Sequence, residues 1–135
     1  MRAREIMTTP TFALTPSATL GEAAEVMTRH GFTTMPVVDA DGRLLGLLSE
    51  ADILRVPASP GDPDTGVMLD GGPRTAGSVM REHGLAVPGD LDVRELARLM
   101  TDADVRSAPV VDDGRVVGMV TFQDVLRALA GIRRS

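Results

Sequence analysis

The sequence of 135 residues contains no cysteine, tryptophan, tyrosine or lysine, and only three phenylalanines and two histidines. Without cysteine the chain has no disulfides, thiolate zinc sites or cysteine nucleophiles. Two histidines are too few for a histidine-based metal site, so we expect no metal. The net charge is −5, and arginine supplies all 14 basic side chains. An acidic chain with so few aromatic rings is poorly suited to binding nucleic acid.

Long apolar runs are also missing. No segment near the N-terminus is apolar enough for a signal peptide, and no later segment reaches the ~18 apolar residues of a membrane span. We therefore expect a soluble cytoplasmic protein with no membrane partner. The 43% apolar and 24% charged residues are typical of a globular domain.

The chain repeats itself. The string PVVD occurs at residues 36–39 and again at 109–112, and each copy is followed by a turn and a second apolar run. Two diverged copies cover almost the whole chain, because upstream segments align at nearly the same spacing. We predict a first domain over residues 1–57 and a second over 74–135. Residues 58–73 are rich in proline, glycine and aspartate and are predicted to be a linker.

Each copy predicts a helix before its PVVD strand. Thr19 with Glu22, and Asp92 with Glu95, have the spacing of a capping box at a helix start. Gly31 and Asp104 suit the left-handed conformation at a helix end. Apolar residues then recur at i, i+3, i+4 and i+7, which predicts one buried face: Leu20, Ala23, Ala24 and Met27, and Val93, Leu96, Ala97 and Met100.

The remaining pattern predicts short strands. Asp41-Gly42 and Asp113-Gly114 stand between apolar runs, which indicates a hairpin in each copy. Residues 12–14 and 85–87 are predicted to add one more short strand to each. The fold class is therefore α/β (α+β), with two tandem β-α-β-β-α units. Each half alone has a thin core, so we expect the halves to pack together.

A second repeated motif follows each hairpin, where another helix is predicted to begin. It reads [ST]-x-x-D, with Ser49 and Asp52 in the first copy and Thr121 and Asp124 in the second. This is the spacing of a helix N-cap with an acid in the first turn, so both pairs could be helix caps alone. They could also bind a ligand, because a carboxylate accepts hydrogen bonds from both hydroxyls of a ribose. A hydroxyl at a helix start lies beside N–H groups that favour phosphate.

The ordered set of helix, PVVD strand, Asp-Gly turn and G-h-h-[ST]-x-x-D resembles the CBS domain family. Its two copies resemble the tandem arrangement called a Bateman module. The resemblance implies a pseudo-twofold unit whose cleft offers two related sites for adenosine derivatives, and modules that pair into dimers. It also implies that Asp52 and Asp124 bind ribose, and that Ser49 and Thr121 contact phosphate.

Two further segments enter through the same resemblance. Residues 32–35 and 105–108 are expected to contact adenine, and a hydroxyl residue near Thr9 is expected to face the nucleotide. Core packing is the alternative for Phe32, Met35 and Val105, and Arg106 is either a phosphate ligand or a solvated surface residue. The second copy has Arg81-Glu82-His83 in place of Thr8-Thr9-Pro10, so the two sites differ. The predicted ligand-binding residues are Thr121, Asp124, Arg106, Val105, Ala108, Ser49, Asp52, Thr33, Met35 and Thr9.

The leading hypothesis is a regulatory module that binds an adenosine nucleotide, requires no cofactor, forms a homodimer and acts on an unidentified protein target. The alternative is a ligand-free dimerisation module whose contacts come from Met27, Met100 and Val26 or Leu99. An enzyme is the least supported class, because no catalytic residues stand out. His30 and His83 are predicted to be surface or turn residues.

Overall fold

The computed structural model describes residues 1–9, 12–56, 74–82 and 84–131. The whole of the predicted linker 58–73, together with Pro10 and His83, lies outside the described residues. Within them, no helix is long and apolar enough to cross a membrane. The cytoplasmic location stays a prediction.

The chain forms six helices and four strands in its described part. In order they are α1 (Ala3–Ile6), α2 (Leu20–His30), β1 (Thr34–Val38), β2 (Leu44–Ser49), α3 (Glu50–Leu54), α4 (Ala76–Val79), α5 (Val93–Ala103), β3 (Ser107–Asp112), β4 (Arg115–Thr121) and α6 (Phe122–Ala130). The strands form two separate two-stranded sheets, β1–β2 and β3–β4. The predicted mixed α/β class with two small sheets is confirmed.

These elements divide into two compact units. The first contains residues 1–11, 42–44 and 85–135, and the second contains residues 12–41 and 45–84. Each unit therefore combines most of one sequence copy with the opening segment of the other. The opening segment is residues 1–11 in the first unit and residues 74–84 in the second. The domain boundaries 1–57 and 74–135 stay a prediction from the repeat in the sequence.

Helices α2 and α5 follow their apolar pattern. Leu20, Ala23 and Met27 are buried on α2, and the matching residues of α5 are buried as well. Gly31 and Asp104 end the two helices with φ of 72° and 55°, in the predicted left-handed conformation. The face predicted by the spacing is the one that packs on each core.

The predicted capping boxes have different outcomes. At the start of α2, the Glu22 N–H donates to the Thr19 hydroxyl at 3.0 Å, and the Glu22 carboxylate reaches back to the Thr19 N–H. At the start of α5 the prediction of a box is wrong. Asp92 caps the helix by accepting from the Arg94 N–H at 3.1 Å. Glu95 instead binds Arg98, its oppositely charged neighbour one turn along the helix.

The hairpins follow their turn residues. Asp113 and Gly114 both have positive φ, 54° and 78°, as the two central residues of a tight type I′ turn require. The predicted strands at 12–14 and 85–87 are reduced to single parallel bridges, Leu14 to Val37 and Val87 to Val110. Proline follows closely in both cases, and because it lacks an N–H it favours an early end to the pairing.

Each unit has its own apolar core, and the opening helices are exchanged between the sequence copies. Ala3 of α1 is fully buried in the core of the first unit, and Ala76 of α4 in that of the second. The Ala3 N–H donates to the Leu91 carbonyl at 2.8 Å, and the Ala76 N–H donates to the Ala18 carbonyl at 2.8 Å. The two hydrogen bonds therefore occupy equivalent positions in the two sequence copies.

The methionines of α2 and α5 bear on the dimerisation alternative. Met27 and Met100 are both buried in the cores of their units. The prediction that their side chains supply a contact surface is wrong, because the i, i+7 spacing places them on the inward face. Val26 and Leu99 are partly buried against the same cores.

Candidate functional site

Ser49 and Asp52 form a reciprocal pair at the start of α3. The Asp52 N–H donates to the Ser49 hydroxyl at 3.1 Å, and the Ser49 N–H donates to Asp52 Oδ2 at 2.9 Å. The aspartate is only 8% exposed. The capping interpretation is therefore confirmed here, and the cap holds the carboxylate in one orientation.

Thr121 and Asp124 repeat this geometry at the start of α6. The Asp124 N–H donates to the Thr121 hydroxyl at 3.1 Å, and the Thr121 N–H donates to Asp124 Oδ2 at 2.9 Å. Asp124 is 4% exposed. Burial of a carboxylate costs free energy unless the carboxylate is paired. A helix cap can form with an exposed acid, so capping alone does not require the two aspartates to be buried.

Arginines approach the other oxygen of each aspartate. Arg127 Nη2 lies 2.7 Å from Asp124 Oδ1, and Arg55 Nη1 lies 3.3 Å from Asp52 Oδ1. The sequence carries a signal for both, because Asp-x-x-Arg occurs in each copy, and our sequence interpretation missed it. Asp52 has a further partner, Arg81, whose Nε lies 2.9 Å from the same Oδ1.

The surroundings of Asp52 shift its pKa. Burial by itself raises the pKa of this carboxyl, but hydrogen bonds from the Ser49 backbone and side chain and the charge and hydrogen bond of Arg81 outweigh that effect. The pKa of Asp52 is therefore lowered from its ordinary value. Asp52 is an anion at neutral pH and attracts cations or hydrogen-bond donors.

This shift predicts a pH-dependent contribution to stability. Because the folded-state pKa of Asp52 lies below the ordinary 3.8, its ionised form stabilises the folded protein above about pH 4. That contribution disappears as the pH falls through the folded-state value. We expect Asp52→Asn to lower the thermal midpoint clearly at pH 7, and the gap from the unmodified protein to narrow below pH 4.

The matched control is Asp102→Asn, which changes an exposed carboxylate on α5. Its midpoint should follow the unmodified protein at both pH values, because exposed ion pairs contribute little. Melting curves by circular dichroism from pH 7 to pH 2.5 provide the comparison. A gap for Asp52→Asn that stays constant down to pH 2.5 would contradict the lowered pKa.

The predicted adenine segments lie beside these helix starts. The Thr33 carbonyl accepts from the Glu50 N–H at 2.9 Å, and the Arg106 carbonyl accepts from the Phe122 N–H at 2.9 Å. Thr33 and Arg106 are exposed, and Val105 is half-buried. In the described part of the chain, no carboxylate lies within ion-pair distance of Arg106. The structure thus brings Thr33 close to Ser49, and Arg106 close to Thr121.

Two of the predicted residues lie deeper. Met35 and Ala108 are fully buried and belong to the apolar cores of their units. Core packing, the alternative stated for Met35, therefore accounts for its side chain. Ala108 is predicted to contact the ligand, and its methyl group is buried in the core of the first unit. A role of either residue in ligand binding stays a prediction.

The opening segments decide which residues share a unit. Thr8 pairs through its backbone with Met119, with the Thr8 N–H donating to the Met119 carbonyl at 2.7 Å. The exposed Thr9 follows directly, so it belongs to the unit of Thr121 and Asp124. In the sequence, Thr9 lies in the same copy as Ser49, so sequence order alone would assign it to the Ser49–Asp52 site.

Ser107 is a polar residue that our sequence interpretation did not select. It stands opposite Thr121 in the β3–β4 ladder and is buried. Its hydroxyl has no hydrogen-bond partner among the described residues. Buried hydroxyls are normally satisfied, so Ser107 is an additional candidate ligand contact. Its membership of the segment 105–108 was the available signal.

His30 is exposed at the end of α2, which agrees with the prediction of a surface residue. Its ring stacks on Phe12 at 4.4 Å and on Phe32 at 5.2 Å between centroids. Over residues 1–9, 12–56, 74–82 and 84–131, no group of three histidine, aspartate or glutamate side chains could hold a metal ion.

Comparison with known proteins identifies the same domain in both halves of the chain. The sequence matches the CBS domain over residues 3–59 and 76–131. It is 32% identical over 128 residues to Hypoxic response protein 1 of Mycobacterium tuberculosis, covering 94% of this chain and 84% of that protein. It also matches an uncharacterized protein of Methanopyrus kandleri, MK0525, at 31% identity, with 83% of this chain spanning 54% of that protein's length.

Solved structures are similar over nearly the whole chain. CBSX2 of Arabidopsis thaliana in complex with AMP superposes with a TM-score of 0.82 and 27% identity, covering 98% of this chain and 99% of that one. The pair of domains of protein MJ0100, in complex with 5′-methylthioadenosine and S-adenosyl-L-methionine, gives 0.79 and 25%, covering 98% of each chain.

Proposed function

The chain belongs to the CBS domain family, and on that premise we propose that it is a regulatory module that binds an adenosine-type nucleotide through Ser49 and Asp52 and through Thr121 and Asp124. Its output is a change in the state of a partner protein, because a ligand shifts an equilibrium when it binds one state more tightly. We assign no reaction and no required cofactor to it.

The duplicated buried aspartate is the observation that carries this proposal. Asp52 and Asp124 are both held by a reciprocal cap, and each has one oxygen bonded to its capping residue. A fixed carboxylate suits recognition of a ribose, whose adjacent hydroxyls donate two hydrogen bonds. Holding a binding group in place before the ligand arrives lowers the entropy lost on binding.

Further groups in the unit of Asp124 suit the rest of a nucleotide. Arg106 supplies a guanidinium, which favours phosphate, and the Thr9 and Ser107 hydroxyls belong to the same unit. Val105 adds an apolar edge for a base. AMP in CBSX2 and the two adenosine compounds in MJ0100 support this choice of ligand class. The position of the ligand in a cleft between the repeats stays an expectation from the resemblance.

Thermal unfolding with AMP, ADP, ATP, S-adenosylmethionine and 5′-methylthioadenosine tests the proposal. A ligand present at 100 times its dissociation constant stabilises the folded state by about 2.7 kcal/mol. For a chain of this size the midpoint should rise by on the order of 10 °C. We expect at least one of these compounds to give this shift, and the double variant Asp52→Ala, Asp124→Ala to lose it.

Each variant is compared with its own ligand-free midpoint, because removing a capping aspartate also lowers stability. The control is the double variant Glu25→Ala, Asp102→Ala, which removes one exposed carboxylate from each unit and should keep the full shift. If no compound shifts the unmodified protein, or if the Asp52, Asp124 double variant responds equally, the proposed function is wrong.

A ligand-free dimerisation module is the second candidate, and one observation favours it. Leu126 and Leu129 are exposed on α6, and Leu54 is exposed at the matching position of α3. Leu126 and Leu129 are three residues apart and therefore share one face of α6, and neighbouring exposed apolar side chains mark interaction surfaces. A tight dimer by sedimentation, together with no response to any adenosine compound, would favour this candidate. The homodimer itself is part of the proposal in both cases.

A further inference from the structure

The two aspartates differ in the residue contributed by the neighbouring opening segment. Arg81 pairs through its backbone with Leu47, at 2.8 and 2.9 Å between nitrogen and oxygen, and Thr8 pairs with Met119 at 2.7 and 3.2 Å. Leu47 and Met119 both stand two residues before a capping residue. Arg81 and Thr8 therefore occupy equivalent places, one with a cationic side chain and the other with a neutral one.

Arg81 uses its side chain on the aspartate itself. Its Nε lies 2.9 Å from Asp52 Oδ1. Arg55 Nη1 reaches the same oxygen at 3.3 Å, and the Ser49 N–H occupies Oδ2. Arg55 has a counterpart in Arg127, which binds Asp124 in the other unit. The guanidinium of Arg81 is thus a feature of the Ser49–Asp52 site that the neutral Thr8 does not supply at the other site.

This contact has a consequence for any ligand whose ribose approaches Asp52. The ribose hydroxyls must share or take over Oδ1, which Arg81 now occupies. Asp52 is nearly buried while the side chain of Arg81 is 61% exposed, so the arginine is the partner able to move. A guanidinium that leaves a carboxylate needs another anion, and a phosphate offers it a two-pronged contact. An uncharged nucleoside offers none.

We propose that Arg81 makes the Ser49–Asp52 site selective for adenosine ligands that carry a phosphate, by exchanging Asp52 for that phosphate on binding. Thr8 imposes no such selection at the Thr121–Asp124 site. This inference rests on the proposed function. The inference assigns a ligand class to one site and names Arg81 as the residue that determines this class.

Calorimetric titration with AMP and with adenosine tests the selection. The Asp124→Ala variant of the full chain isolates the Ser49–Asp52 site, and Asp124→Asn replaces it if circular dichroism shows the alanine variant unfolded. In that background we expect AMP to bind more tightly than adenosine by about tenfold or more, since hydrogen bonds to charged groups are the strong ones. Adding Arg81→Thr, which copies Thr8, should bring the two affinities within about threefold.

Arg74→Thr in the same background is the control, because it removes an exposed arginine of the same unit and should preserve the preference. Arg81→Lys retains the positive charge but lacks the planar, two-pronged guanidinium. The ratio of the AMP affinity to the adenosine affinity should therefore be intermediate. The inference is overturned if Arg81→Thr keeps the tenfold preference, or if the Asp124 variant binds neither compound while the unmodified protein binds AMP. If the unmodified protein binds neither AMP nor adenosine nor the other adenosine compounds, the proposed function fails as well.

Discussion

Deleting residues 1–9 is expected to lower the free energy of unfolding by on the order of 4 kcal/mol, through lost apolar burial and hydrogen bonds. These residues open the first sequence copy, but they pack in the unit that holds most of the second. Ala3 is fully buried there, and Ile6 and Met7 pack against the same core. The deletion also removes the backbone pairing between Thr8 and Met119.

Urea unfolding followed by circular dichroism measures this effect, with the deleted chain compared with the full one. Arg4→Ala is the control, because it removes an exposed side chain of α1 and leaves the segment in place. It should change the free energy of unfolding by no more than about 0.5 kcal/mol. A deleted chain as stable as the full one would show that the opening segment does not support the first unit.

Replacing Leu48 by alanine is expected to cost about 2–5 kcal/mol, the range for a buried leucine whose removal leaves a cavity. Leu48 is 0% exposed in the core of the second unit, immediately before the capping residue Ser49. Well-packed side chains surround it and relax only partly when atoms are removed. The thermal midpoint should fall accordingly.

Leu54→Ala makes the same chemical change six residues later on α3, where the leucine is 82% exposed. Its effect should stay within about 0.5 kcal/mol, because no cavity forms at a surface position. Urea unfolding of both variants provides the comparison. Equal effects of the two substitutions would contradict the assignment of Leu48 to the core.

Features that depend on a few neighbouring residues could be predicted from the sequence. The Ser49–Asp52 and Thr121–Asp124 caps are set by side chains three positions apart at a helix start. The buried faces of α2 and α5 follow the helical repeat, and the Asp113-Gly114 turn follows from residues that tolerate positive φ. In each case the interaction is local, so the residue pattern is sufficient.

Local reasoning was wrong where two local partners compete. Glu95 has the spacing to complete a cap with Asp92, and it also has an arginine one helical turn away. Both interactions contribute only a fraction of a kcal/mol to about 1 kcal/mol, so spacing does not decide between them. The predicted strands at 12–14 and 85–87 were overestimated because β propensity does not register the prolines that end the pairing.

Sequence by itself therefore determined the duplicated α/β units, their family and the two capped aspartates. Only the tertiary structure decided which opening segment meets which aspartate. Ala3 and Ala76 are identical, and Met7 and Met80 are identical too, so either segment is chemically suited to either core. The assignment of Thr8 to one unit and Arg81 to the other depends on contacts between residues far apart in the chain, which no local pattern encodes. That assignment places a guanidinium on Asp52 and makes the two sites unequal.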